Sequence, residues 1–182
     1  YYSLQEFFSL ADSSEADWEH TVSWIDCINS SSTKGLFIRG NLAQIQKQSA
    51  PKLKDKTFPF TPPISLVNKI SLPIFNFAYF HKNALKKRNQ LVHYEPFFYP
   101  LDSIQAWNKM YGALGFYQYQ SVVPREVGLE ATQEMLKMIK KFGEGSFLAV
   151  LKTFGDRESG GLLSFPRSGV TLALDFPNKG EK

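Results

Sequence analysis

The run Gly-Phe-Tyr-Gln-Tyr-Gln-Ser-Val-Val, residues 115–123, constrains this chain more than any other segment. Its side chains alternate as they do on a β-strand, and Pro124 breaks the pattern. Successive residues of a strand point to opposite faces, so Gln118 and Gln120 share one face while Tyr117 and Tyr119 share the other. Two adjacent amides are costly to bury unless they find partners. Each amide both donates and accepts, so a face carrying two of them can bind hydroxyls and suits a sugar or polyol. The same alternation also allows the reverse arrangement, with the glutamines in solvent and the tyrosines in the core. Periodicity alone leaves both open.

The neighbouring segments extend this strand into a domain. Ser3-Leu-Gln-Glu6 has capping-box spacing and opens a short helix through Phe7, Phe8 and Leu10. Residues 20–27 alternate, with Val22, Trp24 and Asp26 on one face. Gly35–Arg39 reads as a second strand, paired with the first through the Ser/Thr-rich turn at 29–34. Asp102 or Ser103 is expected to cap a helix with Ile104, Trp107 and Tyr111 inward, ended by Gly112. The longest helix is expected from about Arg125 to Phe142, with Met135, Leu136 and Ile139 in its apolar stripe and Gly143 as its stop. Further strands fit 147–154 and 170–176, with a short one near 162–165. Residues 44–63 hold four prolines and four lysines and read as a long loop or lid, and 82–90 is a second soft stretch. Strands around one or two helices predict an α+β domain: a mostly antiparallel β-sheet with helices packed on one face.

A chain of 182 residues supports one such domain, and a 43% hydrophobic content is enough for its core. The net charge of +4 matters less than its clusters, Lys47, Lys52, Lys54 and Lys56, then Lys82, Lys86, Lys87 and Arg88. Such runs are solvated surface, or they meet a phosphate or an anionic membrane surface. A single cysteine, Cys27, excludes an internal disulfide framework, and no Cys/His spacing suggests zinc or another metal. With no apolar span and no signal peptide, the expected location is cytoplasmic, at most peripheral to a membrane. The start at Tyr1 fits a piece excised from something longer. His20, His81 and His93 are scattered, which speaks against a hydrolase, and neither G-x-G-x-x-G nor a P-loop occurs. Lys34-Gly-Leu-Phe-Ile38 has a faint likeness to the aromatic strand of RNA-binding domains but lacks its spacing. A basic nucleic-acid-binding or interaction module without catalysis is therefore the alternative reading, and no nucleic-acid partner is expected.

Four islands in fixed order carry a family resemblance: residues 97–102 leading to Trp107-Asn108, then 115–120, 146–152 and 175–179. Thr21–Asp26 and Lys34–Gly40 add to it. Together they resemble the FAD-linked oxidoreductases of the vanillyl-alcohol oxidase superfamily. The resemblance implies that residues 1–182 form a substrate-binding, or cap, domain, and that the flavin-binding domain of the same polypeptide lies outside this chain. It implies oxidation of a hydroxyl carbon of a sugar, polyol or lipid-linked sugar, with FAD bound mainly by the missing domain and the isolated chain inactive. By the same resemblance Trp24 lines the substrate cavity and Gln118 and Gln120 face flavin and substrate. Lys179 lies near the isoalloxazine and the reacting hydroxyl, and Phe176 sits close to the flavin. Ala149 falls where familiar members carry asparagine and Leu151 where they carry cysteine, which implies a less polar pocket wall.

Overall fold

The computed structural model describes residues 1–28, 33–44, 56–86, 89–101, 104–143 and 145–180. Most of the turn expected at 29–34 and of the 44–63 loop lies outside these residues, as do Lys47, Lys52, Lys54, Lys87, Arg88 and the expected caps Asp102 and Ser103.

Helix α1, Leu4–Ser14, begins at the Ser3 N-cap that the spacing predicts, with Glu6 reaching one residue further back than a reciprocal capping box would take it. Ser3 Oγ accepts from the Glu6 backbone N–H at 3.1 Å, and the Glu6 carboxylate accepts from Tyr2 N–H at 2.6 Å. Leu4, Phe7 and Ala11 then turn one buried stripe toward a sheet. That sheet contains β1 (His20–Ile25), β2 (Gly35–Gly40), β5 (Phe116–Val123), β6 (Val150–Phe154) and β7 (Gly169–Pro177). Its order is β2-β1-β6-β7-β5, and every neighbouring pair is antiparallel. The fold is α+β, as the sequence predicts. Helix α4, Gly128–Phe142, lies beside α1 and ends at Gly143, whose φ of 66° is the left-handed stop expected there.

Pairing fixes the faces. One row runs Phe37–Ser23–Leu151–Leu172–Ser121 across all five strands. Leu151, Leu172, Ile25, Val170 and Leu174 form the main core with Leu4, Phe7 and Ala11 of α1 and Leu136 of α4. The next row, Leu36–Trp24–Val150–Ala173–Gln120, therefore looks the other way. At the Trp24 end of that second face lies helix α2, Ser71–Ala84, with Tyr79 5.0 Å from the Trp24 ring, so helices pack on both faces of the sheet and not on one alone as the sequence predicts.

The segment 102–112 departs from expectation. Ile104–Gln105 (β4) pairs in parallel with Lys56–Thr57 (β3), Ala106 is left-handed at φ 56°, and only Trp107–Tyr111 is helical, as a 3₁₀ turn. A left-handed residue cannot continue a right-handed helix, so the expected long helix is reduced to its last turn. Trp107 and Tyr111 do face inward, against Phe116 at 5.5 and 4.5 Å. Residues 162–165 form no strand: they pair with no neighbour, and Leu162 and Leu163 are fully exposed. A short helix α3, Tyr94–Phe98, and a 3₁₀ turn, Arg125–Val127, where the sequence predicts the first residues of α4, complete the described elements.

Gly35 tests the α1-side packing. A Cβ there would overlap the Tyr1 phenol and the Trp24 carbonyl, where Tyr1 Oη is 2.6 Å from Ser23 Oγ. Gly35→Ala is expected to cost about 1–3 kcal/mol of stability in urea unfolding. Gly155→Ala, with open space around it, leaves the midpoint unchanged.

Candidate functional site

The second face of the sheet gathers polar groups from three strands. Gln118 on β5 pairs with Asp175 on β7, and its Nε2 donates to Asp175 Oδ1 at 3.0 Å. Gln120 Nε2 donates to Thr171 Oγ1 at 3.1 Å. Lys152 on β6 is the cross-strand partner of Thr171 on the same face, and Val122 flanks Thr171 on the other side. Gln118, Gln120, Asp175, Thr171 and Lys152 thus form one grid, spaced about 4.8 Å between strands and about 6.8 Å along them.

The electrostatics of this grid follow from burial. Asp175 is 2% exposed and its Oδ2 has no hydrogen-bond partner. Desolvation raises its pKa above the ordinary 3.8, against the lowering effect of the Gln118 hydrogen bond. Burial lowers the Lys152 pKa for the mirror-image reason. Below Asp175 sits a polar pocket of main-chain contacts. Ser146 Oγ accepts from the Asp175 backbone N–H at 3.3 Å and donates to Leu148 O at 2.9 Å. Tyr111 is buried nearby, and its hydroxyl pKa is raised by desolvation and then by the Asp175 charge. Cys27, whose thiol burial pushes up to about 11, meets the Ser146 backbone.

The two arrangements left open for β5 resolve into a third. Tyr117 and Tyr119 are 64% and 46% exposed, and the glutamines are exposed too, because β5 is the last strand of the sheet. The glutamines nevertheless hold fixed partners, so their amides are oriented. Trp24 lies in the same cross-strand row as Gln120, three strands away, or roughly 14 Å. It is 5% exposed, with Nε1 donating to Phe147 O at 3.0 Å under Tyr79, so in this conformation α2 seals it.

Three other expected site residues are not on this face. Ala149 and Leu151 are completely buried in the α1/α4 core, because strand parity gives Val150 and Lys152 to the glutamine side. Neither therefore forms a wall of the polar grid. Phe176 also packs against that core, opposite Tyr117. Lys179 follows the end of β7 and is exposed. Sequence reasoning missed Lys152, Thr171 and Asp175. The alternation around 170–176 and 147–154 held the signal, but only the β5–β7–β6 register joins it to the glutamines. A shallow depression of about 540 Å³ lies at the turn that leads into β5, lined by Thr61, Asn108, Lys109 and Phe116 among others and by none of the grid residues.

No protein-family model matches the chain. Nearly the whole chain nevertheless aligns with an oxidase. That relative is decaprenylphosphoryl-β-D-ribose oxidase of Mycolicibacterium smegmatis, 33% identical over 97% of this chain. The chain spans 40% of the length of that relative. Among the described residues no group of His, Cys, Asp and Glu could hold a metal, and no helix is long and apolar enough to cross a membrane.

Asp175 gives the site a pH signature. A carboxyl whose folded pKa is raised contributes most stability below its unfolded pKa, and this is lost as pH rises through the folded value. Asp175→Asn keeps an acceptor for Gln118 and removes the charge. The variant is expected to be the more stable at pH 7, with the advantage shrinking toward pH 4, as read by thermal unfolding across pH.

Proposed function

We propose that this chain is the substrate-binding part of an FAD-dependent oxidoreductase that oxidises a hydroxyl-bearing carbon of a sugar or lipid-linked sugar. The observation that carries the reading is the register that brings Gln118, Gln120, Thr171, Asp175 and Lys152 onto one sheet face. Two exposed amides and a half-buried ammonium offer donors and acceptors to a polyhydroxylated ring, and the buried Thr171 and Asp175 orient those amides. The relative's name specifies a polyprenylphosphoryl ribose, and that substrate class fits the same chemistry.

The residues fit only part of the cofactor's needs. No glycine-rich phosphate turn occurs in the sequence, so the chain offers nothing for the diphosphate of FAD, which falls to a flavin-binding domain of the same polypeptide. When bound, flavin supplies two-electron oxidation of a carbinol carbon. The chain's own residues bind and orient the sugar. Lys152, half-buried beside Thr171, donates to a substrate oxygen, and the Gln120 amide fixes the neighbouring hydroxyl. Lys179, set by the family resemblance near the reacting hydroxyl, would come from beyond the sheet.

Two measurements test this reading. FAD added to the isolated chain is expected to elute separately on gel filtration. In the full-length polypeptide loaded with FAD, Lys152→Ala and Gln120→Ala are each expected to raise KM for a short-chain prenylphosphoryl ribose by about tenfold or more, the usual scale for a lost hydrogen bond to a charged or oriented group. Tyr117→Ala, on the opposite face, leaves KM unchanged. Unaltered KM in both grid variants, read from flavin bleaching by stopped flow, removes this face from substrate binding.

A further inference from the structure

Residues 56–94 contain Lys56, Lys69, Lys82, Lys86, Lys87 and Arg88, and no aspartate or glutamate. This segment alone carries more positive charge than the +4 of the whole chain. Helix α2 lies within it and is apolar on two sides. Its inner side buries Leu72, Asn76 and Phe80, with Asn76 Nδ2 donating to Asp26 Oδ1 at 2.7 Å. Its outer side follows the spacing 70, 74, 77, 81, 85, one continuous helical face. Along that face Ile70 is 78% exposed, Ile74 67%, Phe77 61% and Leu85 88%. Ile64 extends the apolar surface before the helix. His81, also exposed, is the polar member of this face, and a helix apolar on two opposite sides is normally covered on both. Lys69, Lys82 and Lys86 are exposed at its two ends.

We propose that α2 docks on an anionic lipid surface, lying in the plane of the interface. Ile74 and Phe77 enter the acyl boundary while Lys69, Lys82 and Lys86 meet the headgroups. The helix has 14 residues, about 21 Å, which is too short to span a bilayer but suited to lying on one. Charge selects this occupant. Pairing α2 with a second copy would bring two acid-free, cationic segments together, and a nucleic acid would leave the isoleucines and phenylalanine exposed. The proposal stands apart from the substrate reading, because it concerns a different surface and needs no flavin.

The test is co-sedimentation of the full polypeptide with vesicles of phosphatidylcholine alone or with about 30 mol% phosphatidylglycerol. Binding is expected to be about tenfold greater with phosphatidylglycerol and to weaken in about 0.5 M salt. Ile74→Glu/Phe77→Glu and Lys82→Glu/Lys86→Glu should each abolish it while leaving the circular dichroism and melting temperature unchanged, since these side chains are exposed. Equal binding to both vesicles, or wild-type binding by either variant, overturns the proposal. So does a dimer in sedimentation velocity that Ile74→Glu/Phe77→Glu dissociates, which assigns the surface to a second copy. So does failure of Ile74→Cys or Phe77→Cys to react with a maleimide in the lipid-free full polypeptide, which assigns the surface to another part of the polypeptide.

Discussion

The pairing of β7 with both β5 and β6 is the constraint on which the rest of the molecule depends. β7 is covered on both faces for most of its length. Val170, Leu172 and Leu174 anchor the core beneath α1 and α4, and Thr171 and Asp175 occupy the alternate positions. A shift of one residue would exchange these sets, setting a carboxylate and a hydroxyl among the leucines of the core and three aliphatic side chains against the polar groups of the other face. The apolar half of the strand thus enforces the position of the polar half. The same ladder that holds the sheet together sets the distance from Lys152 to Gln120.

Much of this was legible in the sequence where a single period dominates. The N-cap at Ser3, the alternation of β1 and β5, the stripe of α4 and the glycine stop at 143 all reflect local chemistry, and the structure follows them. Two segments were not legible. The stretch at 104–111 has helical spacing, but Ala106 adopts a left-handed conformation and β4 pairs with a distant strand. Tertiary pairing overrides propensity there. Helix α2 escapes a periodic reading because residues on two sides are apolar and Pro73 stands in its first turn, so no single stripe emerges.

The candidate site was legible only in part, for a physical reason. Alternation places Gln118 and Gln120 on a common face, but it cannot say which strands lie beside them. Asp175, Thr171 and Lys152 become neighbours through long-range register, which no local window contains. The family resemblance supplied roles for Ala149 and Leu151, yet strand parity commits both to the core. If these positions influence the substrate, they do so by shaping β6 beneath Val150 and Lys152. The structure sets both glutamines on the exposed second face of the edge strand, held by Asp175 and Thr171.

The edge position of β5 has a consequence for how such a face works. Among the described residues, this strand is hydrogen-bonded to β7 alone, and its outer row of backbone groups has no neighbouring strand. An edge strand opens at lower free energy than one held from both sides. The two glutamines therefore ride on one of the two more easily loosened borders of the sheet, β2 being the other, while Lys152 and Thr171 sit on its stiff interior. A ligand bridging the two would fasten the border of the sheet to its centre, so that occupancy and rigidity rise together. Under the proposed reading, recognition on this face would be coupled to the completion of the sheet itself.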